Sequence, residues 1–240
     1  DSGSSRGLGD VYKRQPKYTA EIPSMKKEVT FRPFLVKEEK VMLIALESQD
    51  ANQIARSIID TIESCIYDQI NRKALTSYDV EYLFLQIRAK SVGEKTNLKF
   101  KCRKCEAENE VSVDINDIKL TKGEITNEIV LTDTINLEMR HPSYDSIIKN
   151  EKFLASTQTE QIFGLVKETV AAVITNDERI DISEVSDAEF SEFLESMTQA
   201  QFTKIRNYVE TVPKLTYDID FNCSDSVSYT HLTLPTNSSV

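Results

Sequence analysis

The chain has 240 residues, a formal net charge of −10 and a hydrophobic fraction of 40%. This length allows one or two hydrophobic cores of modest size. The acidity disfavours a nucleic-acid partner, because affinity for polyanions comes largely from lysine and arginine. No apolar run approaches the roughly 20 residues that span a bilayer, so no membrane association is expected and the expected compartment is a reducing cytosol.

The first part of the chain predicts a strand followed by helices. A strand is expected within residues 27–34, where Pro33 restricts it to an edge or an end. The apolar run 41–46 fits either a second strand or the start of a helix, because a short apolar run does not separate the two. Helical periodicity follows over residues 50–67 and again over 78–90.

The second part changes from β structure to helices. Residues 95–140 alternate polar and apolar side chains, which predicts hairpins with one solvated face. A mainly helical segment follows Pro142, with a long helix expected at about 157–174 and two later helices that open with capping-box patterns. Strand character returns before Cys223. The predicted fold class is therefore α+β, with short β-hairpins, a Cys-x-x-Cys knuckle and a mainly helical segment inserted before the closing strand.

A Cys-x-x-Cys pair is the sharpest chemical feature of the sequence. Cys102 and Cys105 end an alternating stretch, and a similar stretch ends at Cys223, where a second pair would place a cysteine at the position of Ser226. Two such knuckles on adjoining hairpins supply four thiolates to zinc in tetrahedral geometry. Cys102, Cys105 and Cys223 are therefore predicted to lie close together as an incomplete structural zinc site. Unligated cysteines are the alternative.

Three other residues and a redox alternative also bear on this site. Glu106 stands where a knuckle of this kind often has glycine. His141 could supply a further ligand, but a histidine before a proline is more typical of a turn. Cys65 falls on the apolar stripe of a predicted helix and is expected to be a core residue. A redox role for Cys102 is disfavoured, because both flanks of the pair alternate as strands instead of opening a helix.

Catalytic and cofactor-binding residues are not predicted, and neither is a small-molecule substrate. Residues 16–223 contain three glycines and one histidine, which leaves no phosphate-binding loop and no acid–base constellation. The acidic stretch 176–181 lacks the glycine and the final glutamate of a calcium loop, so it is interpreted as a solvated loop. The sequence therefore predicts a protein that is not an enzyme.

Both ends of the chain differ in character from the body and look like translated adapter sequence. We interpret them as foreign, disordered segments, and the body as truncated before its second knuckle. Removing them is expected to change stability by less than about 0.5 kcal/mol. The expected organisation is a foreign segment, an N-terminal strand–helix region, a β region with the knuckle, a helical region, a closing strand and a second foreign segment, at 1–15, 16–94, 95–142, 143–213, 214–223 and 224–240.

Three segments carry a family resemblance, namely residues 31–48, 79–94, and 190–202 together with 212–215. In this order they resemble a baseplate hub and hub-assembly protein family of T-even-like contractile-tailed bacteriophages. The resemblance implies a tail morphogenesis protein that docks to other baseplate or hub proteins, in the host cytoplasm during assembly and in the virion baseplate. Members of the family usually continue past the last strand with a second Cys-x-x-Cys knuckle, and this chain departs there.

A zinc-ribbon protein, either nucleic-acid-binding or regulatory, is the competing interpretation. Its support is the local basic cluster Lys99, Lys101, Arg103 and Lys104 on an otherwise acidic chain. A real polyanion site would lose affinity steeply as salt rises. Retention on DNA or RNA at near-physiological salt therefore separates the two classes.

Overall fold

A computed structural model describes residues 15–102, 104–121, 127–149, 158–226 and 229–235. The described residues form seven α-helices, which are α1 (Val36–Glu47), α2 (Ala51–Cys65), α3 (Ser77–Ser91), α4 (Tyr144–Lys149), α5 (Gln158–Thr169), α6 (Asp187–Glu195) and α7 (Gln199–Thr211). The strands are β1 (Tyr18–Ile22), β2 (Lys27–Phe31), β3 (Lys95–Lys101), β4 (Glu108–Asp114), β5 (Lys119–Leu120), β6 (Glu128–Val130), β7 (Ile135–Met139), β8 (Val170–Thr175), β9 (Arg179–Asp181), β10 (Leu215–Asn222) and β11 (Tyr229–Pro235). Helices and small antiparallel sheets confirm the predicted α+β class.

The described chain divides into two compact units, and the first contains the β1–β2 and β3–β4 hairpins. It comprises residues 15–70, 79–102, 104–118, 217–226 and 229–234. Strands β1 and β2 form one antiparallel hairpin, and α1 packs against α2. Asp50 caps α2 by accepting hydrogen bonds from two backbone amides of its first turn. The largest fully buried side chains of this unit are Ile22, Phe31, Ile59, Ile62, Leu83, Ile87 and Ile219.

Strands β3 and β4 form the second hairpin of the first unit. They are antiparallel, in a register that runs from Lys95↔Asp114 to Lys101↔Glu108. The side chains of β3 alternate between exposed and half-buried, as the period of two in the sequence predicts. This hairpin therefore holds the Cys-x-x-Cys pair at its tip, and β10 of the same unit leads to Cys223.

The second unit is a sheet covered by helices. It comprises residues 71–78, 119–121, 127–149, 158–216 and 235, and its main sheet has the strand order β6-β7-β8-β9, with all neighbours antiparallel. Its core draws on the sheet and on α5, α6 and α7. The most completely buried members include Leu137, Val166, Val170, Phe190 and Ile205. The capping boxes predicted at Ser186 and Thr198 are present.

Two elements differ from what the sequence pattern predicts. One is β1, a strand that the pattern does not reveal, whereas the run 41–46, for which the pattern allows a strand or a helix, is helical and belongs to α1. The expected long helix ends at Thr169, and its last turns are replaced by β8. The residues of β8 are mainly valine, alanine, isoleucine and threonine, and pairing on both sides with β7 and β9 outweighs their apparent helical period.

Part of the segment after Cys223 forms a strand that its composition does not suggest. Residues 224–240 are expected to be disordered, but β11 lies beside β10 in the first unit. Tyr229 donates a hydrogen bond to Asp220 at 2.6 Å, and Thr233 donates one to Asp218 at 2.8 Å. Tyr229, Thr230 and Thr233 are of residue types that are enriched in strands, which favours this strand. The foreign origin of this segment stays a prediction. The N-terminal segment that was also interpreted as foreign lies, up to residue 14, outside the described residues.

None of the described helices combines the length and the apolar character needed to cross a membrane.

Candidate metal centre

The turn after β3 has the backbone arrangement of a metal knuckle. The Cys102 amide donates to the Ala107 carbonyl at 2.9 Å, and the Glu106 amide donates to the Cys102 carbonyl at 2.9 Å. The Lys104 amide points at the Cys102 sulfur at 3.4 Å. Glu106 adopts a positive φ of 59°, a conformation that favours glycine. The chain therefore forms the turn that the spacing predicts, although with a non-glycine residue at the strained position.

Cys223 reaches this turn from β10. The rings of Phe100 on β3 and Phe221 on β10 stack with their centroids 6.2 Å apart. The buried Asn109 on β4 joins the two segments, because its amide donates to the Cys223 sulfur at 3.7 Å and its oxygen accepts from the Ser224 amide at 3.0 Å. Asn109 was not predicted from the sequence. The feature that could have revealed it is its polar side chain on the face of β4 that otherwise carries valines.

The three predicted cysteines come together. The sulfur atoms of Cys102, Cys105 and Cys223 all lie within 4.8 Å of one another, and those of Cys105 and Cys223 are 3.5 Å apart. A tetrahedral zinc ion with bonds of about 2.3 Å requires sulfur–sulfur distances of about 3.8 Å. The cluster therefore fits a metal ion, and the predicted proximity of Cys102 and Cys223 is confirmed. Among the described residues it is the one group of three or more cysteine, histidine or carboxylate side chains close enough for this.

The thiols differ in their surroundings. Cys102 and Cys223 are buried, whereas Cys105 is exposed. The pKa of Cys223 is lowered, because the side chain and the backbone of Ser226 form hydrogen bonds to its sulfur. The pKa of Cys105 is raised, because hydrogen bonds from Ala107 and Ser226 that favour its thiolate are outweighed by the neighbouring thiols and by desolvation. Of Cys105 and Cys223, Cys223 is therefore the thiol that ionises first. The ionised thiol is the form that binds a metal ion.

The other residues weighed in the sequence lie outside the cluster. His141 shares a hydrogen bond of 2.8 Å between its Nδ1 atom and the Tyr78 hydroxyl. Cys65 is buried, which confirms it as a core residue, and desolvation raises its pKa to about 11. Asp177 and Glu178 lie in the exposed connection between β8 and β9. The described structure thus brings together the three cysteines and not the other candidates.

Together, the fold and the cluster define a small α+β protein with a candidate structural metal centre. A family model described as "T4 bacteriophage base plate protein" matches residues 15–238. The chain therefore belongs to this family of phage baseplate proteins, as the three sequence segments predict. No curated protein and no solved structure matches the chain significantly. The matched range extends into the segment after residue 223 that was interpreted as foreign.

Proposed function

We propose that the chain is a baseplate hub subunit or hub-assembly factor that acts without catalysis, by docking to other baseplate proteins in the host cytoplasm. Membership of the baseplate family over residues 15–238 is the observation that carries this proposal. A baseplate is assembled from several proteins, so the family implies other phage structural proteins as partners. A docking role also requires a surface that the fold of the chain itself does not use.

Helix α1 offers such a surface. Its second half is apolar on every side, yet only Ala45 is buried there. Leu43 and Ile44 are 53% and 55% exposed. A helix that is hydrophobic all round is normally buried, and contiguous exposed apolar patches mark interaction sites. We call this surface the α1 patch, and it consists of Val36, Val41, Leu43, Ile44 and Leu46.

The contacts that hold α1 in place are polar and lie on its inner side. Arg32 donates to the Glu38 carboxylate at 2.9 Å and to the Ser64 carbonyl at 2.9 Å. The second carboxylate oxygen of Glu38 accepts from the Leu35 amide at 2.7 Å. Because this ion pair and Ala45 anchor the helix, the larger apolar side chains remain available outside. This arrangement supports α1 as a presented binding element.

The occupant that we propose for the α1 patch is a different baseplate protein with an apolar groove and a basic rim. An amphipathic helix commonly binds by placing its apolar side chains in such a groove. A second copy of this chain is disfavoured, because each copy has a net charge of −10 and like charges repel on approach. A basic rim on a different partner would instead attract this acidic chain.

Pairwise co-expression with each baseplate protein of the same phage tests the docking proposal. One partner is expected to co-purify with the native chain and with Val130→Asp, which changes an exposed valine of the second unit. Leu43→Asp is expected to reduce recovery at least about tenfold, because it buries a charge in an apolar interface. Equal recovery with Leu43→Asp would contradict the proposal. So would sedimentation of the chain alone as a dimer that Leu43→Asp dissociates.

We further propose that Cys102, Cys105 and Cys223 hold a structural zinc ion. The sulfur geometry and the Asn109 bridge support this assignment. Zinc bound there would cross-link the β3–β4 hairpin to β10 and so contribute to folding. Metal analysis is expected to give about one zinc per chain for the native protein and much less for Cys105→Ser. A zinc content that Cys105→Ser leaves unchanged would contradict the assignment.

The β3–β4 register argues against the nucleic-acid alternative. Lys99 lies opposite Glu110, and Lys101 lies opposite Glu108, all on the exposed face of the hairpin. Directly opposite charges in an antiparallel pair interact favourably and offset each other's field. Two of the four basic residues that support a polyanion site in the sequence are therefore accompanied by carboxylates. Retention on DNA that weakens steeply with salt would favour the alternative instead.

A further inference from the structure

We propose that Ser226 stands at the fourth corner of the three-cysteine centre, so that a bound divalent ion has three thiolates and one exchangeable oxygen donor. The inference rests on the proposed metal centre and deepens it, and it takes Ser226 as part of the family-matched range 15–238 instead of a foreign segment. In this arrangement the Ser226 hydroxyl occupies the fourth position of the tetrahedron. Because this position holds only an exchangeable oxygen donor, an external ligand can bind the metal ion there.

The position of the Ser226 hydroxyl carries this inference. Its Oγ atom lies 3.5 Å from the Cys102 sulfur, a separation similar to the 3.5 Å between the Cys105 and Cys223 sulfurs. The side chain also forms hydrogen bonds with Cys105 and Cys223. One hydroxyl within hydrogen-bonding range of three clustered thiols is placed as the fourth member of a tetrahedron would be.

The chemistry of that fourth position distinguishes this centre from a closed tetrathiolate site. Structural zinc sites have four protein ligands, whereas sites with three protein ligands keep a water molecule in the remaining position. A neutral serine hydroxyl is a weak donor compared with a thiolate. A metal ion here is therefore expected to bind less tightly than in a four-cysteine site and to accept a small external thiol.

Ser224 provides a matched control within the same turn. Its hydroxyl lies 3.5 Å from the Asn109 oxygen and 3.1 Å from the Asp225 carboxylate. Both serines are exposed and they are two residues apart. A cysteine at 224 adds the same thiol to the same segment, in place of a hydroxyl whose contacts are with Asn109 and Asp225.

Titration with cobalt(II) under a non-thiol reductant tests the inference, because the intensity of the sulfur-to-cobalt charge-transfer band follows the number of thiolate ligands. The native chain and Ser224→Cys are expected to show three-thiolate spectra that change when a small thiol is added. Ser226→Cys is expected to show a four-thiolate spectrum that does not change with added thiol. It should also bind cobalt more tightly than the native chain, because a fourth thiolate replaces a neutral oxygen donor.

Each other outcome overturns the inference in a distinguishable way. A Ser226→Cys spectrum identical to the native one would show that Ser226 is not at the fourth corner, while leaving the three-cysteine centre intact. A four-thiolate spectrum for Ser224→Cys would show that any thiol in this turn can reach the metal. Failure of every variant to bind cobalt would overturn the inference and the metal centre together, but not the docking proposal, which pairwise co-purification tests separately.

Discussion

At the scale of single residues, Glu106 is a non-glycine residue at a position of the knuckle whose backbone conformation favours glycine. Its φ of 59° places it in the left-handed region, which costs a non-glycine residue about 1–2 kcal/mol. Glu106→Gly is therefore expected to raise the free energy of unfolding by about 1 kcal/mol, measured by chemical denaturation. Lys104→Gly in the same turn is the control, because Lys104 has no positive φ to relieve. A Glu106→Gly protein no more stable than Lys104→Gly would refute this explanation.

Tyr208 is a second residue whose chemistry opposes its surroundings. Its hydroxyl is buried and has no hydrogen-bond partner among the described residues, and desolvation raises its pKa to about 12. Tyr208→Phe removes the desolvated hydroxyl and is expected to be neutral or to stabilise the protein by about 1 kcal/mol. Tyr78→Phe is expected to destabilise it by a similar amount, because that hydroxyl is bonded to His141. Thermal unfolding of both variants checks the contrast, and a clear loss of stability in Tyr208→Phe would contradict it.

At the scale of elements, the attachment of α1 depends on one ion pair. The side chains of Arg32 and Glu38 are only 13% and 7% exposed, and removing one partner of a buried pair typically costs about 3–5 kcal/mol. Glu38→Ala is therefore expected to lower stability by about 3 kcal/mol, whereas Glu39→Ala on the exposed side is expected to change it by less than about 0.5 kcal/mol. Equal effects in denaturant titrations would contradict the role of the pair.

The same ion pair predicts a dependence of stability on pH. Burial alone would raise the pKa of Glu38, but hydrogen bonds from Arg32, Leu35 and Lys37 lower it below the ordinary value of about 4.3. Because the folded-state pKa is the lower one, the stabilisation is fully present above about pH 4.3 and is lost as pH falls through the folded value. The native chain should therefore lose stability over this range more than Glu38→Ala does. Parallel pH profiles would contradict the assignment.

The sequence predicts some elements better than others, and packing explains the difference. The strands before Cys102 and Cys223 carry their period of two visibly, and the proximity of the two cysteines could be predicted from that repeat. Residues 41–46 are all apolar, so hydrophobic periodicity cannot distinguish a helix from a strand there. The contacts of Glu38 and Ala45 favour the helix. The residues of β8 become a strand through pairing with distant β7 and β9, which no local pattern encodes.

The candidate centre was likewise predictable only in part. Cysteine spacing identified Cys102 and Cys105, because ligand spacing is a property of the local chain, and the repeated strand pattern identified Cys223. The roles of Asn109 and Ser226 depend on the side-chain positions of two segments more than 100 residues apart in sequence. The repeated knuckle pattern marks position 226 in the sequence, because a second pair would place a cysteine there, whereas Asn109 is an ordinary polar residue. The contacts of both residues become interpretable only once β4 and the turn after β10 lie beside each other.

At the scale of the whole molecule, family membership and the α1 patch both support the proposed docking role in the baseplate. The family supplies the setting, a baseplate of several phage proteins. The patch supplies a surface that the fold leaves exposed, and the acidic charge opposes association of identical copies. The candidate metal centre belongs to the same unit as α1, and a metal ion bound there is expected to stabilise the fold that presents this helix.

Hydrogen–deuterium exchange of the free chain and of its co-purified baseplate complex tests the central claim most directly. Docking through the α1 patch predicts slower exchange in Val36–Glu47 of the complex, because a bound helix opens less often. The β6–β7 hairpin, which includes Val130, is expected to exchange equally in both states. Unchanged exchange in α1, with protection confined to other elements, would contradict the claim that this helix is the docking element.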